Sequence, residues 1–441
     1  MKLLHANRKR YEMIRRLFQN KIFDNTLYTL SGKMAAMLLY MAFDIACARL
    51  LTPETYAEWV FFYAILTMMF YIGWCGINTS AKVFVSKESD QEKKAGIIRA
   101  SFLLRLIVSI LVSAILILAA YPLAGCLGYP AKYPSLYRLC IFAGLLVFLN
   151  SFSEFFKGLF MGLDDFKRLC GTTILEFAGY FLWSLLFLLL FRRVEAAALG
   201  YMCGGIGVFL FGLASLRHIS TVGIFPKRSD NYRSIMRKIF KYAIPLAISS
   251  IGGMILVEMD TFMLGMLSSK AQVANYGIAK NLCSKAVHVN YALTVGSMTS
   301  FSVLTAENIK KKRTQLKKIS NLNILIAASV AGAFLLLGNT VITLLYGVEY
   351  QAAGRILIYL LPYYIMYSIA SFFGAFLDFQ NEAKTRSICY STIVVINLFL
   401  NFLFIPRFGG IGAAVATSLS IVPYTILTVI VTVRIMRRYE R

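Results

Sequence analysis

The chain has 441 residues, of which 58% are apolar or aromatic and only 15% charged, with a mean hydropathy of +0.67; soluble domains carry about 25% charged residues. That excludes a soluble globular protein. The formal charge of +25 has no extended polar domain to occupy, so it falls in short loops where it reports topology rather than a nucleic-acid partner.

The first segment, Met1 to Lys21, is strongly basic and has no cleavable-signal pattern, so insertion is expected to use the first span. Leu4, Tyr11, Ile14 and Phe18 fall near one helical face, which suits either a helix lying on anionic lipid headgroups or a solvated basic tail. After it the apolar residues come in runs of about 20, what a helix rising 1.5 Å per residue needs to cross a hydrocarbon core of about 30 Å. They give about twelve spans, at 25–48, 56–78, 98–121, 137–157, 171–191, 195–216, 239–265, 272–304, 320–345, 354–378, 387–405 and 410–433. The expected fold is an all-α polytopic membrane protein. Its parts are a basic cytoplasmic tail (1–24), an N-lobe (25–217), a cytoplasmic linker (218–238), a C-lobe (239–433) and a second basic tail (434–441).

Placing the loops on alternating sides, with both termini cytoplasmic, puts 34 of the 46 Lys and Arg inside and nine outside, with Lys33, Arg105 and Lys285 within spans. This is the positive-inside asymmetry. The outer nine include Arg49, Lys270 and Lys280. The eight cysteines sit almost entirely in apolar runs without CxxC or zinc spacing and read as small core residues, with no metal site or cofactor expected.

The two halves repeat. Asp44 and Asp260 are 216 apart and each precedes a polar turn; Lys167 and Lys384 are 217 apart, Leu182 and Leu400 218. Six spans per half keep both lobes in one orientation, a parallel repeat of the kind transporters use.

Ionisable groups inside spans cost about 2.5–3.5 kcal/mol or more, so they face protein or a water-filled cavity. Lys33 and Asp44 are eleven residues apart and share one face of the first span with Met37 and Tyr40, about 16 Å apart along its axis. Asn281, Lys285 and His288 follow i, i+4, i+7 near the middle of the eighth span, where snorkelling is hardest for a lysine stem, so a cavity-facing cation is the better reading than a snorkelling one. Lys33 and Arg105 are closer to span ends and either line that cavity or snorkel. Among the acidic residues, Glu154 and Lys157 are spaced for a local pair. Asp44, Glu258 and Asp260 are candidates for coupling or gating, as a coupling-ion site or as salt bridges formed in one conformation. Pro245, Gly252 and Gly253 are hinge candidates. No HExxH, GxSxG, P-loop or paired loop carboxylates indicate an enzyme.

Several segments resemble the oligosaccharide flippases of bacterial polysaccharide biosynthesis, within the superfamily that also holds the multidrug and toxin extruders. They are Ala48-Arg49-Leu50-Leu51-Thr52-Pro53-Glu54-Thr55-Tyr56, Tyr242-Ala243-Ile244-Pro245-Leu246, Met259-Asp260-Thr261-Phe262-Met263-Leu264-Gly265, and Ile405 to Thr417, running Ile-Pro-Arg-Phe-Gly-Gly-Ile-Gly-Ala-Ala-Val-Ala-Thr. Each motif is loose, but their order covers nearly the whole chain. The resemblance implies two six-helix lobes around a central cavity, alternating access, and transfer of an undecaprenyl-diphosphate-linked oligosaccharide from the inner to the outer leaflet of a bacterial cytoplasmic membrane. O-antigen or capsule assembly, with polysaccharide polymerase machinery as a partner and H+ or Na+ as coupling ion, would be the setting. An anionic diphosphate would be met by Lys33, Arg105, Lys285 and His288, with Asn281 beside them. Tyr40, Tyr364 and Tyr367 either stack on sugars or pack in the core and interface. Relatives that flip the peptidoglycan precursor tend to have fourteen helices, and twelve departs from that. A cation-coupled drug antiporter is the alternative, against which the central lysine argues; a membrane polymerase or ligase would need a larger outer loop than any here.

Overall fold

The computed structural model describes residues 21–219, 232–298, 301, 307–380 and 382–439. The expected basic tail up to residue 20, linker residues 220–231 and the last two residues lie outside the described residues.

The described chain is helical, without a strand: α1 Lys21–Leu50, α2 Pro53–Trp74, α3 Ile77–Lys87, α4 Gln91–Leu118, α5 Ala120–Cys126, α6 Leu136–Gly162, α7 Phe166–Phe191, α8 Val194–Ile219, α9 Tyr232–Leu267, α10 Lys270–Met298, α11 Ile309–Leu345, α12 Ala352–Phe379 and α13 Ala383–Arg438. Gly409, at φ 56° and ψ −130°, breaks α13 into two arms. The sequence is read there as the turn between the last two spans. A side chain at this glycine would be strained by its positive φ and would crowd Gln272 at 3.0 Å, whose Oε1 accepts from the Gly410 amide at 2.9 Å. With the arms counted separately, each of the twelve expected spans overlaps one long helix. Among the described residues, nine helical stretches are long and apolar enough to cross a membrane, the kinked 391–438 counting as one. Helices α9 and α10 are not among the nine; they carry Glu258, Asp260, Lys280 and Lys285.

Many large apolar side chains are exposed, and small polar side chains are buried beside the apolar core, unlike in a soluble bundle. On α4 the side chains of Ser101, Arg105, Ser109 and Ser113, one turn apart, are buried, while Ile110, Leu111, Ile115 and Leu118 are exposed. Lipid is as apolar as leucine, so what helices bury against one another is small and polar side chains that pack closely and hydrogen-bond. Local starts follow the usual chemistry: Asp90 accepts the amides of Glu92 and Lys93 at 2.8 and 3.2 Å to cap α4, and Asp165 accepts that of Arg168 at 3.0 Å to cap α7.

The chain forms two compact units, residues 1–47 with 69–250 and residues 48–68 with 251–441. In the first, Phe152, Phe155, Phe156 and Phe160 of α6 pack with Ile98 and Leu216. In the second, Phe372, Phe376 and Leu377 of α12 pack with Ile309, Leu316, Ile435 and Met436. Segment 48–68 is tied into the second unit by the Glu58–Lys270 ion pair at 2.7 Å. Arg49 adds two bonds, to the carbonyls of Leu344 and Leu345 at 2.6 and 2.9 Å. Those carbonyls end α11 and have no helical partner, and a guanidinium satisfies both them and the negative end of the helix dipole.

Candidate functional site

Asp260 lies on α9 in the second unit and is 3% exposed. Its Oδ1 accepts from Asn401 Nδ2 at 2.5 Å and its Oδ2 from Tyr276 Oη at 3.0 Å. Thr417 Oγ1 lies 2.7 Å from Oδ2 and 2.8 Å from the Ala413 carbonyl, so its single proton serves one of them at a time. Asn397 Oδ1 accepts from Asn401 Nδ2 at 2.9 Å, and Asn401 Oδ1 is buried without a hydrogen-bond partner. Four helical segments thus converge on one carboxylate: α9, α10 through Tyr276, and the two arms of α13. The Gly409 break lets both arms contribute, Asn397 and Asn401 from one and Thr417 from the other. No basic side chain pairs with Asp260 among the described residues, so the pocket offers one negative charge and several neutral oxygens, the kind of oxygen donor hard cations take.

Glu258, two residues earlier, is buried and accepts from Lys280 Nζ at 2.9 Å; the same ammonium donates to Thr261 Oγ1 at 2.9 Å. Lys280 lies on α10, held by this pair. The stripe Asn281, Lys285, His288 forms on α10 as the spacing requires, with Asn281 and Lys285 half-buried and His288 exposed. Tyr364 does not offer its hydroxyl to a ligand: it is fully buried and donates to Asn290 Oδ1 at 2.6 Å. Asn290 in turn donates to Asn323 Oδ1 at 2.6 Å, and Asn323 to the Ser368 carbonyl at 2.8 Å. Tyr367 is half-buried beside Tyr363, ring centroids 5.5 Å apart.

In the first unit, Lys33 is exposed on α1, Tyr40 half-buried and Asp44 buried on the same helix. Arg105 departs from the expectation of a cavity cation. It is fully buried, and its guanidinium donates to the carbonyls of Gly73 at 2.5 Å and Trp74 at 2.8 Å, to Asn78 Oδ1 at 3.4 Å and to Ser109 Oγ at 3.1 Å. Its fork closes the C-terminus of α2, where the second span breaks at Cys75 and Gly76, both with positive φ. A Cβ on Gly76 would stand 2.3 Å from the Ala243 carbonyl of α9. Two residues on, Pro245 is exposed, and α9 continues as one helix through it and through Gly252 and Gly253. The five expected substrate contacts are therefore divided, Lys33 and Arg105 in the first unit, Asn281, Lys285 and His288 in the second.

The Glu154–Lys157 pair forms at 2.7 Å. Sequence reasoning places Glu176 of α7 among the acidic residues within spans but missed that it also closes onto the Lys157 ammonium. It also missed Tyr276, Asn397, Asn401 and Thr417. Two asparagines one turn apart in the otherwise apolar stretch 393–405 were the available signal.

The sequence profile of the family described as polysaccharide biosynthesis protein matches residues 22–299. The chain belongs to that family. A probable low-salt glycan biosynthesis flippase of Haloferax volcanii, Agl15, is 27% identical over 247 residues, 55% of this chain and 50% of that protein. This chain spans about half the length of the curated relatives it matches. Among solved structures, an inward-facing multidrug resistance MATE family transporter of the MOP superfamily superposes with a TM-score of 0.72 at 16% identity, covering 92% of this chain and 95% of that one. The lipid II flippase MurJ in an inward closed conformation does so with 0.66 at 15% identity, over 94% and 90%. The family member is thus a multi-pass membrane protein with the fold that MOP superfamily transporters share, and that fold is common to drug exporters and a lipid flippase.

Proposed function

We propose that the protein flips a polyprenyl-diphosphate-linked oligosaccharide, undecaprenyl in a bacterial cytoplasmic membrane, from the inner to the outer leaflet for surface polysaccharide assembly. Membership of the polysaccharide biosynthesis family carries this reading. Two six-helix lobes, 25–217 and 239–433, alternate access, with bending of α9 at Pro245, Gly252 and Gly253 accommodating the change; Pro245 removes one helical hydrogen bond and the glycines remove side chains. The diphosphate is anionic and cannot cross hydrocarbon unaided. Lys285, near the middle of its span with Asn281 and His288 on the same stripe, supplies the charge that offsets its desolvation. Lys33 contributes from α1. Arg105, spent on backbone carbonyls, holds α2 instead. The Asp260 pocket takes the coupling ion, Na+ or H+, because it holds an unpaired buried carboxylate ringed by neutral oxygens.

The test is Lys285→Ala in a strain that depends on this chain for its surface polymer. Polymer is lost, lipid-linked oligosaccharide accumulates on the cytoplasmic side and protein level stays near normal, while Lys285→Arg retains part of the activity. Normal polymer from the alanine variant removes the cationic-cavity reading, and cation-dependent drug efflux without any effect on polymer favours the antiporter.

A further inference from the structure

The second unit carries its charge unevenly. Residues 307–318 at the start of α11, 378–386 around the turn from α12 into α13, and 434–439 at the end of α13 hold eleven Lys and Arg against three Asp and Glu. Positive-inside placement by itself asks for no such excess. The junction of α3 and α4, put on the same side by the sequence, sets Lys87, Lys93 and Lys94 against Glu88, Asp90 and Glu92 and is balanced.

Packing gathers the cations at one end of the unit. Ile309 and Leu316 of α11, Phe376 and Leu377 of α12 and Ile435 and Met436 of α13 share one buried cluster with Phe301. Gln380 Nε2 donates to the Phe301 carbonyl at 2.7 Å, and Lys312 Nζ stands 5.9 Å from the centre of the Phe301 ring. Beside it a cleft of about 180 Å³ is lined by Gln380, Glu382, Ile435, Arg438 and Tyr439. Glu382 Oε2 accepts from Thr385 Oγ1 at 2.5 Å, Asp378 pairs with Arg386, and Glu307 is exposed.

Helix α11 has 37 residues, about 55 Å at 1.5 Å per residue, against a hydrocarbon core of about 30 Å. Its basic first turns therefore extend past the core. There Ile309, Leu316 and Ser320 are buried, while Lys310, Lys311, Arg313, Lys317 and Lys318 are all exposed. One face of the extension is committed to the packing of the unit, and the cationic face is turned away from it. Exposed cations also run into exposed apolar stripes. Lys311, Lys318, Leu322 and Leu325 follow i, i+7, i+11, i+14 on α11, and Ile426, Ile430, Val433 and Arg437 follow i, i+4, i+7, i+11 on α13. Cations at the end of an apolar stripe match a phospholipid, whose phosphate stands level with the charge while its chains lie along the stripe.

We propose that this end of the second unit binds anionic phospholipid of the leaflet in which it stands, the cytoplasmic one in the orientation expected from the loop charges. Arg434, Arg437 and Arg438 and the exposed face of α11 meet the phosphates, the cleft beside Arg438 seats one headgroup, and the apolar stripes take the acyl chains. A soluble phosphate would gain the charge and nothing from the stripes.

Native mass spectrometry of the purified full chain, released from micelles doped equally with phosphatidylglycerol and phosphatidylcholine, tests this by lipid retention alone, so that failure here leaves the flippase reading standing. Wild type retains phosphatidylglycerol over phosphatidylcholine by about tenfold or more, since each Lys or Arg close to an anionic surface contributes about fivefold. Arg434→Gln/Arg437→Gln/Arg438→Gln and Lys310→Gln/Lys311→Gln/Lys318→Gln each cut that preference by about fivefold or more. All six of these side chains are exposed, so both variants are expected to fold. Lys87→Gln/Lys93→Gln/Lys94→Gln leaves the preference unchanged, and glycerol phosphate in excess does not displace the lipid. The proposal is overturned by a wild type without preference, by an equal loss in the Lys87, Lys93 and Lys94 variant, by wild-type preference in both folded test variants, or by displacement with glycerol phosphate.

Discussion

Replacing Arg105 separates a structural clamp from a ligand-binding cation. Arg105→Ala removes a fully buried guanidinium and leaves the Gly73 and Trp74 carbonyls, at 2.5 and 2.8 Å from its nitrogens, without donors at the end of α2. Each buried acceptor left unpaired costs about 1–3 kcal/mol, so the expected destabilisation is about 3–5 kcal/mol once relaxation is allowed, a large share of the 5–15 kcal/mol that holds a typical domain (~10 kcal/mol). Arg105→Lys restores charge but not the fork, because a compact ammonium cannot reach two carbonyls, an amide oxygen and a hydroxyl together, so it recovers only part. The assay is the yield of monodisperse protein and its thermal unfolding in nanodiscs, alongside binding of a polyprenyl diphosphate. The clamp predicts that alanine lowers yield and unfolding temperature, with lysine intermediate. A well-folded, thermally unaltered Arg105→Ala protein that has lost diphosphate binding refutes it and returns Arg105 to the lumen.

Asp260→Asn keeps the shape of the pocket and removes its charge; substrate binding should persist while the stimulation of transport by a Na+ or H+ gradient falls by about tenfold or more, and an unchanged gradient response excludes the pocket from coupling. For topology, single cysteines at Lys132 and Val348, the latter 74% exposed, in a cysteine-free background should react with an impermeant reagent from outside, while those at Asp90 and Lys312 stay protected; labelling at Lys312 from outside breaks the orientation.

The sequence by itself located the long helices, because the length of an apolar run is a local property tied to the thickness of a bilayer, although α9 and α10 fall short of the apolar character of the other spans. It located the turn at Gly409, where consecutive glycines follow a proline, and it flagged Asp260 as a charge that must have a protein or water environment. It paired Glu154 with Lys157, since three residues along a helix fix their proximity. What it left open was every relation across helices. Arg105, Lys33 and Lys285 look alike as cations within apolar runs, and only packing shows that the broken end of α2 meets the first of them. The ligands of Asp260 come from positions up to 157 residues away, and Glu176 reaches Lys157 from the next helix. Helical periodicity says which residues share a face, but which two faces meet is settled by the shape complementarity and hydrogen bonding of whole helices, and that is where the candidate sites were made.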